Sequence, residues 1–293
     1  MTHDTKDGAL ALLRDGQTVS PPIACRAADP VVSLRARPYD SAAERLRQAV
    51  SGERLDVLAQ DDTWAHIRLD RDGYEGFIPL ARLVGADTIR PTHVVSARQT
   101  LMHDTPRLKS PDSPLWLSFG TLVEAGPTHH PDTGESWTEV TLCRPVDPAA
   151  LQKTRLDGVI PSHHLRPLSD PEPDLVAVAE RFLGTPYLWG GNSGFGIDCS
   201  GLIQAALLAA NLPCPGDSGP QRDALGINIT DETAPRRGDL WFWKGHVGIL
   251  TDPQTLLHAN AHHMAVVREP VHTVAERIAA SGGGPVLARK RLL

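Results

Sequence analysis

The chain has 293 residues, long enough for two domains or three small ones, with 41% apolar and 22% charged residues, which excludes a wholly disordered or collagen-like polymer. Twenty-nine Lys and Arg against 35 Asp and Glu leave a net charge of −6, which argues against general binding to nucleic acid or an anionic membrane. Twenty-five Pro and 25 Gly imply many turns and hence many short strands.

The chain opens Met1-Thr2-His3-Asp4-Thr5-Lys6-Asp7, and its first apolar run, Ala9 to Leu13, is too short and too acidic in its approach for a secretory signal. The expectation is a cytoplasmic protein. The longest apolar run, Leu202 to Leu212, is broken by Gln204 and Asn211 and falls short of the roughly 18 to 20 residues of a membrane span. Cys25, Cys143, Cys199 and Cys214 are too few and too scattered for a disulfide scaffold, and none forms a Cys-x-x-Cys pair.

Two units of about 65 to 75 residues repeat along the first half. Val31-Val32-Ser33 recurs as Val94-Val95-Ser96, Thr63-Trp64-Ala65-His66-Ile67 as Ser136-Trp137-Thr138-Glu139-Val140, and Gly76-Phe77-Ile78-Pro79 as Gly158-Val159-Ile160-Pro161. In the first unit, alternation predicts strands at Leu55–Leu58, Trp64–Leu69 and Tyr74–Ile78, with Asp70-Arg71-Asp72-Gly73 as the hairpin turn. About nine additional residues around Cys143 to Leu151 lengthen the corresponding loop of the second unit. Trp64 and Trp137 are assigned to the two cores. The order Trp-x-x-aliphatic, hairpin, Gly-aromatic-Ile-Pro resembles bacterial SH3-like domains, small β-barrels found beside cell-wall enzymes.

Pro167-Leu168-Ser169-Asp170-Pro171-Glu172-Pro173 reads as a linker. Beyond it, Leu175 to Leu183 is helical in pattern and Leu202 to Leu212 reads as a buried helix. Asp239–Trp243, His246–Leu250, Leu256–Ala259 and Met264–Arg268 read as strands, and helices followed by antiparallel strands indicate an α+β domain.

Cys199, in Asp198-Cys199-Ser200-Gly201, opens the buried helix, where the positive end of the helix dipole favours the nucleophilic thiolate. Forty-seven residues later, His246 begins the strand Gly245-His246-Val247-Gly248-Ile249 and can serve as base. Asp252-Pro253-Gln254 can turn that strand into the next, setting His258 beside His246 as the polar group that orients it. His262 and His263 compete for that role. The histidine pairs 129/130, 163/164 and 262/263 lack the spacing of zinc ligands and read as solvated loops, and Cys25, Cys143 and Cys214 read as structural.

Tyr187-Leu188-Trp189-Gly190-Gly191, the Asp-Cys-Ser-Gly run, Gly238-Asp239-Leu240, the Gly-His-Val-Gly-Ile run and a third His resemble the NlpC-type cell-wall cysteine peptidases, a papain-like family, over residues 170 to 293. With the two SH3-like units, the whole chain resembles γ-D-glutamyl-L-diamino-acid endopeptidases of the dipeptidyl-peptidase VI type. The implied fold is two small SH3-like β-barrels followed by an α+β papain-like peptidase domain, divided as a 1–24 extension, barrels at 25–90 and 91–168, and a peptidase domain at 169–293.

The resemblance implies hydrolysis of the bond between γ-D-Glu and the diamino acid of murein peptides, in peptidoglycan turnover or recycling. It implies no metal or organic cofactor, and as partner a murein peptide substrate, L-Ala-γ-D-Glu-diamino acid, with no nucleic acid and no membrane. Cys199 is the implied nucleophile, His246 the base and acid, His258 the orienting residue, and Tyr187 a partner of the Cys199 N–H in holding the oxyanion. Asp198, Ser200 and Ser218 are the implied substrate contacts, although Pro215-Gly216-Asp217 stands where the family often has Pro-Arg-Asp. Glu44 and Tyr74 in the first barrel would grip the free amino terminus of L-Ala. The alternatives are an amidase or acyltransferase on the same fold, or a murein-peptide-binding protein without catalysis.

Overall fold

In a computed structural model the protein is described over residues 6–109, 111, 113–131, 134–144, 154–230 and 232–292. It divides into two compact units, Met1–Asp170 and Pro171–Leu293, with the division inside the Pro-rich run. No helix among the described residues is long and apolar enough to cross a membrane.

In the first unit, Trp64–Leu69 and Glu75–Pro79 form a hairpin in which Trp64 opposes Pro79 and Ala65 opposes Ile78. The same register recurs between Trp137–Cys143 and Arg155–Pro161, where Trp137 opposes Pro161 and Thr138 opposes Ile160. Each hairpin runs into a 3-10 turn, Leu80–Arg82 or Ser162–His164, and then a short strand, Leu83–Gly85 or Leu165–Pro167. The internal repeat of the sequence is therefore a repeat of strand pairing. Among the described residues the first copy belongs to a seven-stranded antiparallel sheet and the second to a five-stranded one.

Alternation buries one face of each strand. Val32, Leu34, Val57, Ile67, Leu69 and Ile78 meet in one core, and Val95, Leu117, Val123, Val140 and Ile160 in another. Three details differ from expectation. The strand Gln17–Ala27 already pairs into the first sheet and so crosses the expected boundary at residue 25. Pro21 and Pro22 disguise it: they carry no N–H, and the ladder shifts register between Thr18 and Ile23. Trp137 is buried as expected, but Trp64 is half-buried, against Ala9, Leu13, Ala59 and Phe77 and outside the main core. The strand Arg45–Val50, with Glu44 just before it, was not among those that alternation predicted. Of the loop from Cys143 to Leu151, residues 145–151 lie outside the described residues.

All four cysteines are free thiols. Cys143 packs with Ala28, Val84 and Ile89, and burial pushes its thiol up to about 11, the behaviour of an inert core cysteine. Burial, with Asp56 beside it, also raises Cys25.

The second unit opens with the helix Leu175–Glu180, capped by Asp174 through the Val176 and Ala177 N–H groups. The Cys199 helix, Cys199–Ala209, buries Leu202, Ile203, Ala206 and Leu207, so the apolar run is a core helix. Four successive antiparallel strands follow: Leu240–Trp243, His246–Asp252, Thr255–Asn260 and Ala265–Pro270. The sheet is completed by Ala288–Arg291 and Ile227–Asn228. Two helices went unpredicted. Ser218–Ala224 is too short to show a period, while Val271–Ala280 lays Val271, Val274, Ala275 and Ile278 on Trp241, Trp243, Leu250 and Leu256.

Candidate active site

The Cys199 helix starts where it does because Asp198 is its N-cap. Its backbone is extended, and its Oδ1 accepts from the Gly201 N–H at 2.6 Å and the Ser200 hydroxyl at 3.1 Å. Its Oδ2 accepts from the Gly190 N–H at 3.0 Å, tying the helix start to the glycine turn before it. The carboxylate placed among the substrate contacts is thus buried and works as a cap, because Asp-x-x-Gly at a helix start offers the third helical N–H to its oxygen.

Glycine is required where the turn and the helix touch. A Cβ on Gly201 would stand 2.4 Å from the Gly191 carbonyl oxygen, and one on Gly191 would stand 2.6 Å from that of Gly196. Cys199 occupies the first helical position, with only 7% of its surface exposed. Its Sγ lies 3.9 Å from the carbonyl oxygen of Gly245, the residue before His246.

His246 begins its strand, and its Nε2 stands 2.8 Å from Nδ1 of His258 on the neighbouring strand, with the rings edge to face. Burial pushes His246 down to about 3, with His258 and Arg277 adding to the shift and Glu269 opposing it. Its imidazole is therefore neutral at neutral pH and can accept a proton. His258 is buried at 1% exposure, which lowers it as well against the pull of Glu269. Its Nε2 lies 2.8 Å from Oε2 of Glu269, whose carboxylate takes a two-pronged contact from Arg277 at 2.5 and 2.7 Å. Burial would raise Glu269, but Arg277 and His258 outweigh it and bring the carboxyl to about 2.

The structure thus brings together Cys199, its flanking Asp198 and Ser200, and the His246–His258 pair. The backbone of Tyr187 bridges Ile197, two residues before Cys199, and its N–H donates to the Met264 carbonyl. Ser218 starts a helix tied to the Cys199 helix by Gln221, whose Nε2 donates to the Ser200 carbonyl at 2.9 Å. His263 sits beside Asn260 and Glu269 and is not the partner of His246. Glu44 and Tyr74 belong to the first unit, where Glu44 is exposed and Tyr74 packs on the first core with the Arg47 guanidinium 5.5 Å from its ring. Among the described residues no group of three His, Cys, Asp or Glu side chains converges as metal ligands. Glu269 and Arg277 were missed by sequence reasoning, since neither lies in a motif.

Residues 184–278 match the NlpC/P60 family, and residues 34–83 match the bacterial dipeptidyl-peptidase Sh3 domain. A γ-D-glutamyl-L-lysine dipeptidyl-peptidase of Bacillus subtilis (strain 168) is 40% identical over 230 residues, covering 72% of this chain and 71% of the relative. The chain belongs to the NlpC/P60 family. A γ-D-glutamyl-L-lysine dipeptidyl-peptidase of Bacillus cereus is 26% identical over 77% of this chain and 70% of its own. An NlpC/P60 protein from Bacillus cereus ATCC 10987, solved crystallographically, shares the fold with a TM-score of 0.70 at 21% identity, over 92% of this chain and 99% of that one. The NlpC/P60 match encloses Cys199, His246 and His258, and the Sh3 match encloses Glu44 and Tyr74.

Proposed function

We propose that this NlpC/P60 cysteine peptidase is a γ-D-glutamyl-L-diamino-acid endopeptidase of murein peptides, built as two SH3-like barrels and a papain-like α+β domain. The observation that carries the reading is a helix-borne Cys199 beside Gly245 and a strand-borne His246 held at 2.8 Å by His258. In the reaction, the Cys199 S–H gives its proton to His246, and the sulfur forms a bond to the γ-carbonyl carbon of D-Glu. The carbonyl π pair moves to oxygen, where the Cys199 N–H and the Tyr187 hydroxyl are the proposed donors. The pair then returns, the C–N bond breaks, and His246 passes its proton to the leaving amine of the diamino acid. Water, deprotonated by His246, hydrolyses the thioester and frees L-Ala-γ-D-Glu.

Ser200 and Ser218 are the proposed peptide contacts. Recognition of a free L-Ala amino group belongs to the same proposal, with Glu44 and Tyr74 as its candidate residues; a carboxylate meeting an ammonium rewards peptides already cut from the wall over lactyl-linked stems. That preference suits turnover and recycling in the cytoplasm, a setting that cell fractionation tests.

The decisive experiment is mass spectrometry of L-Ala-γ-D-Glu-diaminopimelate and L-Ala-γ-D-Glu-L-Lys after incubation with wild type or Cys199→Ala, beside the same peptides acetylated at the amino terminus. Wild type is expected to release L-Ala-γ-D-Glu from the free peptides and spare the acetylated ones, while Cys199→Ala loses about 10⁴-fold or more in kcat, as removal of a catalytic nucleophile does elsewhere. Binding of the free peptide without cleavage would sink the peptidase reading.

A further inference from the structure

We infer that Glu269, clamped by Arg277, is the fixed end of a hydrogen-bond chain that sets the proton positions on His258 and His246 and leaves Nδ1 of His246 bare for the Cys199 proton. The inference rests on the catalytic roles proposed above for Cys199 and His246, and it makes Glu269 and Arg277 positioning residues.

The chain follows from donor and acceptor arithmetic. An ionised carboxylate only accepts hydrogen bonds. Glu269 Oε2 lies 2.8 Å from His258 Nε2, so the proton between them belongs to that nitrogen. Neutral His258 then has a lone pair on Nδ1, which accepts from His246 Nε2–H across 2.8 Å. Neutral His246 carries a single N–H, so its Nδ1 is the basic nitrogen. Asn260 Oδ1 accepts from the His263 N–H at 2.8 Å, which leaves its amide nitrogen, a donor only, 3.0 Å from the same His258 Nε2. That amide by itself favours a lone pair on Nε2, and the charge-assisted bond to the ionised Glu269 carboxylate at 2.8 Å outweighs it and holds the proton on the nitrogen.

The fold explains why the carboxylate stays ionised and in place. His258 pairs with Val267, and Glu269, two residues further, shares the same sheet face and is a diagonal neighbour of His258. The helix Val271–Ala280 follows at once, and its buried Val271 and Val274, with the half-buried Ile278, fix its roll, delivering Arg277 to both oxygens of Glu269. The carboxylate faces three charged or titratable groups among the described residues, Arg277, His258 and His263, the last at 3.5 Å. Burial alone would raise the carboxyl, but Arg277 and His258 hold it down at about 2, far below working pH.

The test uses the full chain with ¹⁵N-labelled histidine, reading the tautomers of His246 and His258 from long-range ¹⁵N–¹H spectra assigned with His246→Gln and His258→Gln. Both rings are expected as Nε2–H tautomers in wild type. Glu269→Gln can turn an amide N–H toward His258 and reverse the chain, so it should change both tautomers and lower kcat about 10- to 100-fold, the usual cost of removing a group that orients a catalytic one, with KM unchanged. Arg277→Met should behave alike and Arg277→Lys should recover most of the loss, a pair that answers the question even if Glu269→Gln does not fold. Unchanged tautomers in folded Glu269→Gln, or a kcat loss without a tautomer change, overturns the inference. If wild type cuts no peptide yet shows both Nε2–H rings that switch in Glu269→Gln, the reaction assignment fails and the hydrogen-bond chain stands.

Discussion

Asp198 Oδ1 accepts a hydrogen bond from the Gly201 N–H at 2.6 Å, spanning the first turn of the helix that presents Cys199. The same carboxylate reaches back to the Gly190 N–H at 3.0 Å, so one side chain fixes both the helix start and the turn preceding it.

Asp198→Ala should therefore destabilise the second unit by about 1–2 kcal/mol from the lost cap, leave the Gly190 N–H without this acceptor, and lower kcat by displacing Cys199. Asp198→Asn, which keeps one oxygen for Gly201, should fall between. Urea midpoints and kcat on the same peptide measure the two effects; wild-type values for the Ala variant would remove Asp198 from both roles.

Gly201→Ala should cost about 1–3 kcal/mol, because the new Cβ lies 2.4 Å from a backbone oxygen with no flexible side chain to yield. Gly219 is the contrast: a Cβ there meets nothing within 4 Å, and its φ is outside the left-handed region. Gly219→Ala should raise stability by about 0.4–1 kcal/mol by restricting the unfolded chain. Opposite shifts in thermal midpoint are expected, and equal shifts would contradict the close contact.

Acid should weaken the protein through its buried histidines His246 and His258. His246 drops from 6.5 to about 3 on folding and His258 is lowered too, so the unfolded chain binds more protons than the folded one across that window. Their contribution is fully present above about pH 6.5 and is lost as pH falls, at no more than about 1.4 kcal/mol per pH unit for each histidine. Glu269, lowered from 4.5 to about 2, adds its own loss only below about pH 4.5. Between pH 6.5 and 5, the urea midpoint of wild type should fall more steeply than that of His246→Gln. His93 and His164, also lowered by burial, contribute equally to both proteins and cancel in the comparison.

The hairpins, the Cys199 helix and the His246–His258 pair were legible because each is local. Alternation sets which face of Trp64–Leu69 is buried, Asp-x-x-Gly caps a helix, and a turn at Asp252 folds two neighbouring strands together. The strand from Gln17 was illegible because Pro21 and Pro22 erase the ladder signal, and the half-buried setting of Trp64 because its packing partners Ala9 and Leu13 lie more than fifty residues away. The cap made by Asp198 was already encoded in its spacing to Gly201.

Sequence by itself determined the residue types of the candidate site, their order and the elements that carry them, since these follow from short-range backbone preferences and periodic burial. Only the tertiary structure decided that His258 meets Glu269 and that Arg277 holds it there, because those contacts depend on the register of two strands and the roll of a packed helix, neither of which any local run of residues specifies.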